Sequence, residues 1–289
     1  MHILKFGGSS LATPERIKLV SKTIKKHLEE GKVITVFSAF GGVTNDLLLM
    51  AELASKEDLA YKELLEKVEK RHLEAVRELI PVTAQSAILS KVKNQFNRLE
   101  TLYEGVFLLN ELSDKTRHVI SGFGEMLSSQ IIAEYFQSLK VNSLFVDSRE
   151  LIVCKNTNEK VLVNYDKTNQ NILEFFKNNK ADLFIVPGFI AKNELGVPST
   201  LGRGGSDFTA AIIAGALNLD KVIIYTDVNG MFTANPSLVP QAYSLNEISY
   251  EEAMELSHFG AKVLYPPTLQ PLLDKNIEIL IKNTFDQDH

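Results

Sequence analysis

The sequence predicts an α/β protein: a mainly parallel central sheet covered by helices on both sides, a three-layer αβα sandwich carrying a helical insertion. Three observations lead there. Short apolar and β-branched runs alternate with helical patterns along most of the chain. The clearest of those runs, Val33-Ile34-Thr35-Val36-Phe37, is apolar without alternation, as a strand buried on both faces is. Glycine-marked loops recur directly after strands or at helix starts, the edge where such sheets bind ligands.

In chain order, His2-Ile3-Leu4 reads as the first strand and runs straight into Lys5-Phe6-Gly7-Gly8-Ser9-Ser10. Two adjacent glycines let backbone N–H groups approach a phosphate, a following helix start adds a partial positive end, and Lys5 supplies full charge. A tight strand-to-helix turn with no ligand would use the same glycines. The helix after it has Thr13 to cap it, Pro14 for its first position, Ile17, Val20, Ile24 and Leu28 at helical spacing, and Gly31 to end it. Val33 to Phe37 is a buried parallel strand feeding the second glycine turn, Ser38-Ala39-Phe40-Gly41-Gly42.

From about Thr44 to Leu112 the chain is helical in character, broken at Pro81, with Leu64, Leu65, Val68, Leu73, Val76 and Leu79 striping a charged background. This is a helical excursion with a solvated outer face, and no chemistry is assigned to it. Strand–helix alternation then resumes: a helix around 125–139, strands near 143–146 and 183–186, a helix from about Ser206, and a strand at 222–226. A helix near 250–257, another after Pro266-Pro267, and a strand at 277–281 complete the pattern. There is no internal repeat, and residues 1–289 are expected to form a single domain.

A hydrophobic content of 45% suffices for a substantial core. The net charge of -5 argues against a nucleic-acid or anionic-membrane partner while leaving room for a local basic pocket. The single cysteine, Cys154, excludes an internal disulfide and sits in the apolar run Leu151-Ile152-Val153, as a small core residue does. The six histidines show neither metalloprotease spacing nor a Cys-His cluster, so no metal-ligand set is expected. With no leader and no apolar stretch of spanning length, the expectation is a soluble cytoplasmic protein. Patterning is compatible with a homodimer, because a dimer surface and a solvated helix share it.

Four glycine-marked loops carry the chemistry: residues 5–10, 38–44, 201–207 and 226–230. The third, Leu201-Gly202-Arg203-Gly204-Gly205-Ser206-Asp207, is the most specific. It joins bare backbone amides to an arginine fork suited to a substrate carboxylate and to an acid able to hold nearby lysines. Ser121-Gly122-Phe123-Gly124-Glu125 sets an acid at a helix start, either as a helix-dipole carboxylate or as a receptor for a substrate ammonium. Thr226-Asp227-Val228-Asn229-Gly230 is a plain turn or a nucleotide contact, and Lys262, among apolar neighbours, is a snorkelling surface residue or a second phosphate contact. The G-x-x-x-x-G-K-[ST] loop, a complete G-x-G-x-x-G and a protein-kinase catalytic loop are all missing.

In order and content these loops resemble aspartate kinases, specifically their catalytic portion, within the amino-acid kinase superfamily. The resemblance runs through residues 5–10, 38–45, 124–125, 202–207, 226–228 and 259–266. Glu-Leu-Ser-His-Phe-Gly-Ala-Lys at 255–262 and Ile281-Lys282-Asn283-Thr284 look most like the bifunctional enzymes that join aspartate kinase to homoserine dehydrogenase. It implies the amino-acid kinase fold and ATP-dependent phosphorylation of the β-carboxylate of L-aspartate, the first step of lysine, threonine and methionine biosynthesis. Lys5, Asp207 and Lys262 are then catalytic, Asp207 organising the two lysines. Lys5, Gly7, Gly8, Ser9, Thr226, Asp227, Phe232 and Lys262 bind ATP, and Thr44, Glu125, Arg203 and Ser206 bind aspartate. None of them is assigned as a metal ligand; Mg2+ rides mainly on the nucleotide phosphates.

The chain departs from the family where a Tyr-Thr-Thr-Asp-Pro-Arg type segment is usual: it has Phe232-Thr233-Ala234-Asn235-Pro236-Ser237. A hydroxyl, an acid and an arginine are missing from the adenine and ribose side. The family's regulatory domains would begin where residue 289 stands, so end-product feedback is not expected of this polypeptide alone; a fragment of a longer chain with regulatory and homoserine dehydrogenase domains fits equally. Two other readings use the same residues: another carboxylate or carbamate acceptor, and a non-catalytic amino-acid or nucleotide sensing module. Glu125 with Arg203 argues for a free amino acid as the acceptor. A carboxylate with a reference pKa of about 3.9 is already ionised at neutral pH, so no general base is needed.

Overall fold

The computed structural model describes residues 1–156, 161–235, 238–258, 265 and 269–286. The chain opens with β1 (His2–Phe6), α1 (Pro14–Glu30) and β2 (Val33–Phe37), followed by α2 (Val43–Ala54), α3 (Ala60–Leu79), α4 (Val82–Leu109), α5 (Asp114–Ser121) and α6 (Phe123–Ser138). Next come β3 (Ser143–Phe145), α7 (Ser148–Leu151), β4 (Val153–Asn156), β5 (Val161–Val163), α8 (Tyr165–Asn178), β6 (Leu183–Pro187), β7 (Ile190–Asn193) and β8 (Pro198–Thr200). The last elements are α9 (Gly205–Leu217), β9 (Lys221–Thr226), α10 (Tyr250–His258), α11 (Gln270–Leu273) and β10 (Glu278–Asn283).

The central sheet has the order β10-β9-β1-β2-β6-β3, and every pairing in it is parallel. Because side chains alternate across a strand, each strand feeds two cores. Leu4, Phe6, Val33, Phe37, Leu183, Ile185, Ile223 and Tyr225 pack with the buried faces of α1 to α4 and α6. Ile3, Ile34, Val36, Phe184, Val186, Val222 and Ile224 pack against α9 and α11 on the other side. The expected three-layer arrangement is therefore present, with β1 in its middle. Thr13 caps α1 by accepting from the Arg16 N–H, and Pro14 occupies its first turn, as the sequence predicts.

The structure adds elements the sequence pattern did not yield. A second, mixed sheet of order β5-β4-β7-β8 lies beside the first. Its strands span three or four residues each, too few for a period of two to stand out. Helix α8 buries Thr168 and Ile172 and packs Phe175 and Phe176 against the same core, a stripe at helical spacing that the sequence reading passed over. The helix expected after Pro266-Pro267 is a single turn. Cys154 lies buried in β4, and burial pushes its thiol up to about 12, which leaves it unreactive. No described helix is long and apolar enough to cross a membrane.

Helix α6 is packed tightly where it meets the loop after β2. A Cβ on Gly124 would fall 2.7 Å from the Ala39 methyl, so only glycine lets the helix sit that close. Gly124→Ala is expected to destabilise the fold by ~1–3 kcal/mol through overpacking, measurable as a lower urea midpoint.

Candidate active site

The candidate site is made by parallel strands whose hydrogen bonding continues past their ends. Gly7 N–H donates to Tyr225 O at 3.1 Å, Ser38 N–H to Phe6 O at 3.2 Å, and Gly188 N–H to Phe37 O at 2.8 Å. The loops after β9, β1, β2 and β6 therefore leave the sheet side by side. Between them and the starts of α2, α6 and α9 lies a cavity of about 240 Å3 lined by Lys5, Ser38, Thr44, Glu125, Phe189, Gly202, Gly204, Gly205, Ser206 and Asp207.

Lys5 belongs to the odd-numbered side of β1, which faces α9, and Asp207 stands in the first turn of α9. Lys5 Nζ and Asp207 Oδ1 are 2.6 Å apart, with side chains 10% and 14% exposed. So enclosed a pair is strongly interdependent: removing either partner leaves an uncompensated charge, at a typical cost of ~3–5 kcal/mol. The helix start also favours Asp207 as an anion. Ser206 is buried against Gly188, where an added Cβ would fall 2.6 Å from the Ser206 Cβ.

Glu125, in the first turn of α6, is buried. Its Oε2 has no hydrogen-bond partner among the described residues. Burial pushes the carboxyl up to about 8, against the smaller opposing effects of the backbone at Ala39 and at Glu125 itself and of Lys5. An unsatisfied, buried oxygen beside a cavity is a receptor waiting for a hydrogen-bond donor or a cation.

Of the other residues singled out in the sequence, Thr44 lines the cavity from α2. Arg203 is exposed in the turn before α9, between Gly202 and Gly204, which have φ of 76° and 64° and line the cavity. Gly7 is bonded to the end of β9, which places Thr226 and Asp227 next to the 7–9 loop; Thr226 Oγ1 donates to Asp227 Oδ1 at 3.2 Å. The loop after Gly7 begins with a single 3₁₀ turn, Gly8–Leu11, and the α-helix starts only at Pro14. Phe232 is half-buried and forms an antiparallel bridge to Ser244, away from the residues of this cavity in the chain and absent from its lining. Lys262 and Ser237 lie outside the described residues.

Two contributors were missed, and a third, Ser38, enters the sequence analysis only as the start of the second glycine loop. Ser38 lines the cavity at the end of β2. Phe189 does so with φ at 70°, rare for a bulky residue, held by Thr209 Oγ1 accepting from its N–H at 3.0 Å and by Leu201 N–H donating to its carbonyl at 2.7 Å. Arg71, on α3, donates to Gly41 O and to Ala12 O, both at 2.8 Å, and so ties together the loops after β1 and β2. Those loops also touch directly: a Cβ on Gly8 would lie 3.0 Å from Ala39 O. An arginine on a charged helical stripe carries no sequence signal for such a tether.

The model of the amino acid kinase family matches residues 1–283, and the chain belongs to that family. Within it the similarity is to aspartokinases. The chain is 31% identical over 98% of its length to bifunctional aspartokinase/homoserine dehydrogenase 2 of Zea mays and 34% identical over 98% to the bifunctional enzyme of Buchnera aphidicola. It spans about a third of these relatives, 31% and 35% of their lengths. Crystalline E. coli aspartokinase III in complex with aspartate and ADP superposes with a TM-score of 0.89 at 26% identity, over 99% of this chain and 62% of that one.

Glu125 makes stability depend on pH with a definite sign. Its folded-state pKa is raised from 4.5 to about 8, so its contribution is fully present below about 4.5 and is lost as pH rises toward 8. Glu125→Gln removes the cost of ionising the buried group. It is expected to raise the melting temperature at pH 8 and to leave it little changed at pH 4.5, measured by calorimetry across that range.

Proposed function

We propose that this chain transfers the γ-phosphoryl group of MgATP to the β-carboxylate of L-aspartate, giving 4-phospho-L-aspartate. The observation that carries the reading is the shared cavity. A cation held by an acid, a carboxyl with an unpartnered oxygen, and the hydroxyls of Ser38, Thr44 and Ser206 are the groups a small zwitterionic acid requires. The aspartokinase relatives, and the aspartate and ADP bound by the E. coli enzyme, support the same substrates.

In this reading Glu125 receives the α-ammonium of aspartate, and Arg203 closes over a substrate carboxylate from the lip of the cavity. The β-carboxylate is already ionised and attacks phosphorus without a base. A new O–P bond forms as the bond to the β,γ-bridging oxygen breaks, and ADP leaves with that electron pair. Two anions must be brought into line, and the protein's task is alignment and offset of their repulsion. Lys5, fixed by Asp207, lies between acceptor and donor and stabilises charge developing on the transferring group. Beyond Gly7, whose N–H is bonded to the end of β9, the backbone N–H groups of Gly8 and Ser9 face the phosphates, Thr226, Asp227 and Phe232 flank the nucleoside, and Lys262 adds a second phosphate contact.

Asp207 is committed to Lys5, and Glu125 is kept for an ammonium, so the lining offers no spare pair of carboxylates. Mg2+ therefore enters on the phosphates of the nucleotide and supplies charge neutralisation there. The bifunctional relatives support a longer polypeptide joining this portion to a homoserine dehydrogenase.

A hydroxylamine-trapping assay is expected to give hydroxamate with L-aspartate and ATP, and turnover only with another acceptor would replace the reading. Lys5→Ala is expected to lower kcat by ~10²–10³ while KM for aspartate changes little; unchanged turnover removes Lys5 from the mechanism. The carboxylate form of Glu125 is the one that pairs with an ammonium, so kcat/KM for aspartate is expected to climb with pH toward about 8 and then level. Glu125→Gln should lower it and flatten that climb, as steady-state kinetics across the pH range would read.

A further inference from the structure

On the other face of β1, at the opposite end from Lys5, three potential metal donors meet. His2 is the first residue of β1 and lies on the even-numbered side that packs against α1, whereas Lys5 lies on the odd-numbered side facing α9. His27 and Glu30 stand in the last turn of α1. One ligand atom from each of the three lies within 4.8 Å of the others, and His2 Nε2 and Glu30 Oε2 are 3.6 Å apart. The imidazole rings of His2 and His27 are 5.4 Å apart at 47°.

We propose that His2, His27 and Glu30 form a binding site for a divalent transition-metal ion of the zinc class, which clamps the end of α1 to the start of β1. Two imidazoles and one carboxylate are a common zinc donor set, with a water completing four-coordination. Tetrahedral bonds of about 2.0–2.1 Å put neighbouring donors roughly 3.3 Å apart, and the His2–Glu30 spacing is already near that. The backbone is fixed around the site: His2 N–H donates to Lys32 O at 2.8 Å, and His2 pairs with Val33 in the ladder.

His27 carries the second observation. Its Nε2 is 3.0 Å from Tyr225 Oη, while its Nδ1 is buried and has no hydrogen-bond partner. Metal-bound imidazoles characteristically engage a hydrogen-bonding group through the other nitrogen, which fixes tautomer and ring orientation. With Nε2 held by Tyr225, the orphaned Nδ1 is the lone pair a metal would satisfy.

The donor set selects the kind of ion: two imidazole nitrogens favour a borderline ion of the zinc class, whereas Mg2+ and Ca2+ prefer oxygen ligands.

The test uses chelator-treated full chain without a polyhistidine tag. Titration with zinc chloride by calorimetry is expected to show one site per chain, with a rise in melting temperature. His2→Gln and Glu30→Gln leave the His27–Tyr225 contact in place and should keep the wild-type circular dichroism. His2→Gln is expected to weaken zinc binding by roughly tenfold or more, and Glu30→Gln by a smaller factor. Cobalt(II) in place of zinc should give the intense visible absorption of a tetrahedral centre in the wild type and lose it in His2→Gln. Absence of saturable binding at one equivalent, or equal affinity in wild type and His2→Gln, overturns the proposal. Neither readout depends on kinase activity, so the proposed reaction and this site stand or fall separately.

Discussion

The ion pair between Lys5 and Asp207 is the constraint around which the site is built. A lysine near the end of the central strand of a parallel sheet has nowhere to send its charge: both neighbouring strands are apolar, and the layers above and below are core. It is stable there only with an acid within contact distance, and α9 supplies one in its first turn at 2.6 Å. That requirement fixes where α9 must begin. The turn before it passes through two glycines at positive φ, and Ser206 fits against Gly188 because neither neighbour has atoms to spare. A charge placed by strand periodicity thus dictates the geometry of a loop about two hundred residues further along the chain.

The second dependency joins the loops after β1 and β2. Gly8 and Ala39 approach so closely that a methyl group on Gly8 would meet a carbonyl oxygen at 3.0 Å. Arg71 then bonds the carbonyls of Ala12 and Gly41, and Phe40, the residue between Ala39 and Gly41, stacks on His72 with ring centroids 4.9 Å apart. The helical excursion is therefore more than an outer layer, since adjacent residues of α3 brace the floor of the candidate site. Burial holds His72 at a pKa of about 4, so it packs as a neutral aromatic ring against that loop.

Much of the fold was legible because its strongest signals are local. Val33 to Phe37 has the composition of a doubly buried strand, and the Thr13-Pro14 start and Gly31 stop of α1 follow from capping chemistry alone. The four-stranded second sheet was illegible because strands such as Pro198–Thr200 are shorter than the pattern needed to recognise them. For the site, residue types were readable and their environments were not. Lys5, Thr44, Glu125, Ser206 and Asp207 were picked out as chemistry and do converge on one cavity. Arg71 and Phe189 escaped because a carbonyl tether and a positive φ are properties of neighbours distant in sequence.

Glu125 shows why composition could not reveal the most consequential feature. In sequence it is an acid at a helix start, where the dipole would favour ionisation. In the structure burial outweighs that effect, and the group is held neutral over a range in which an exposed glutamate is charged. One of its oxygens is left without a partner, a costly arrangement that no nearby side chain relieves. Lys5, close enough to favour ionisation, does not cancel the burial because its charge is already committed to Asp207. The two interactions are therefore coupled: the pair that stabilises one charge withholds the counter-ion that would stabilise the other. What remains is a carboxyl whose natural complement is a hydrogen-bond donor or a cation brought from outside the protein.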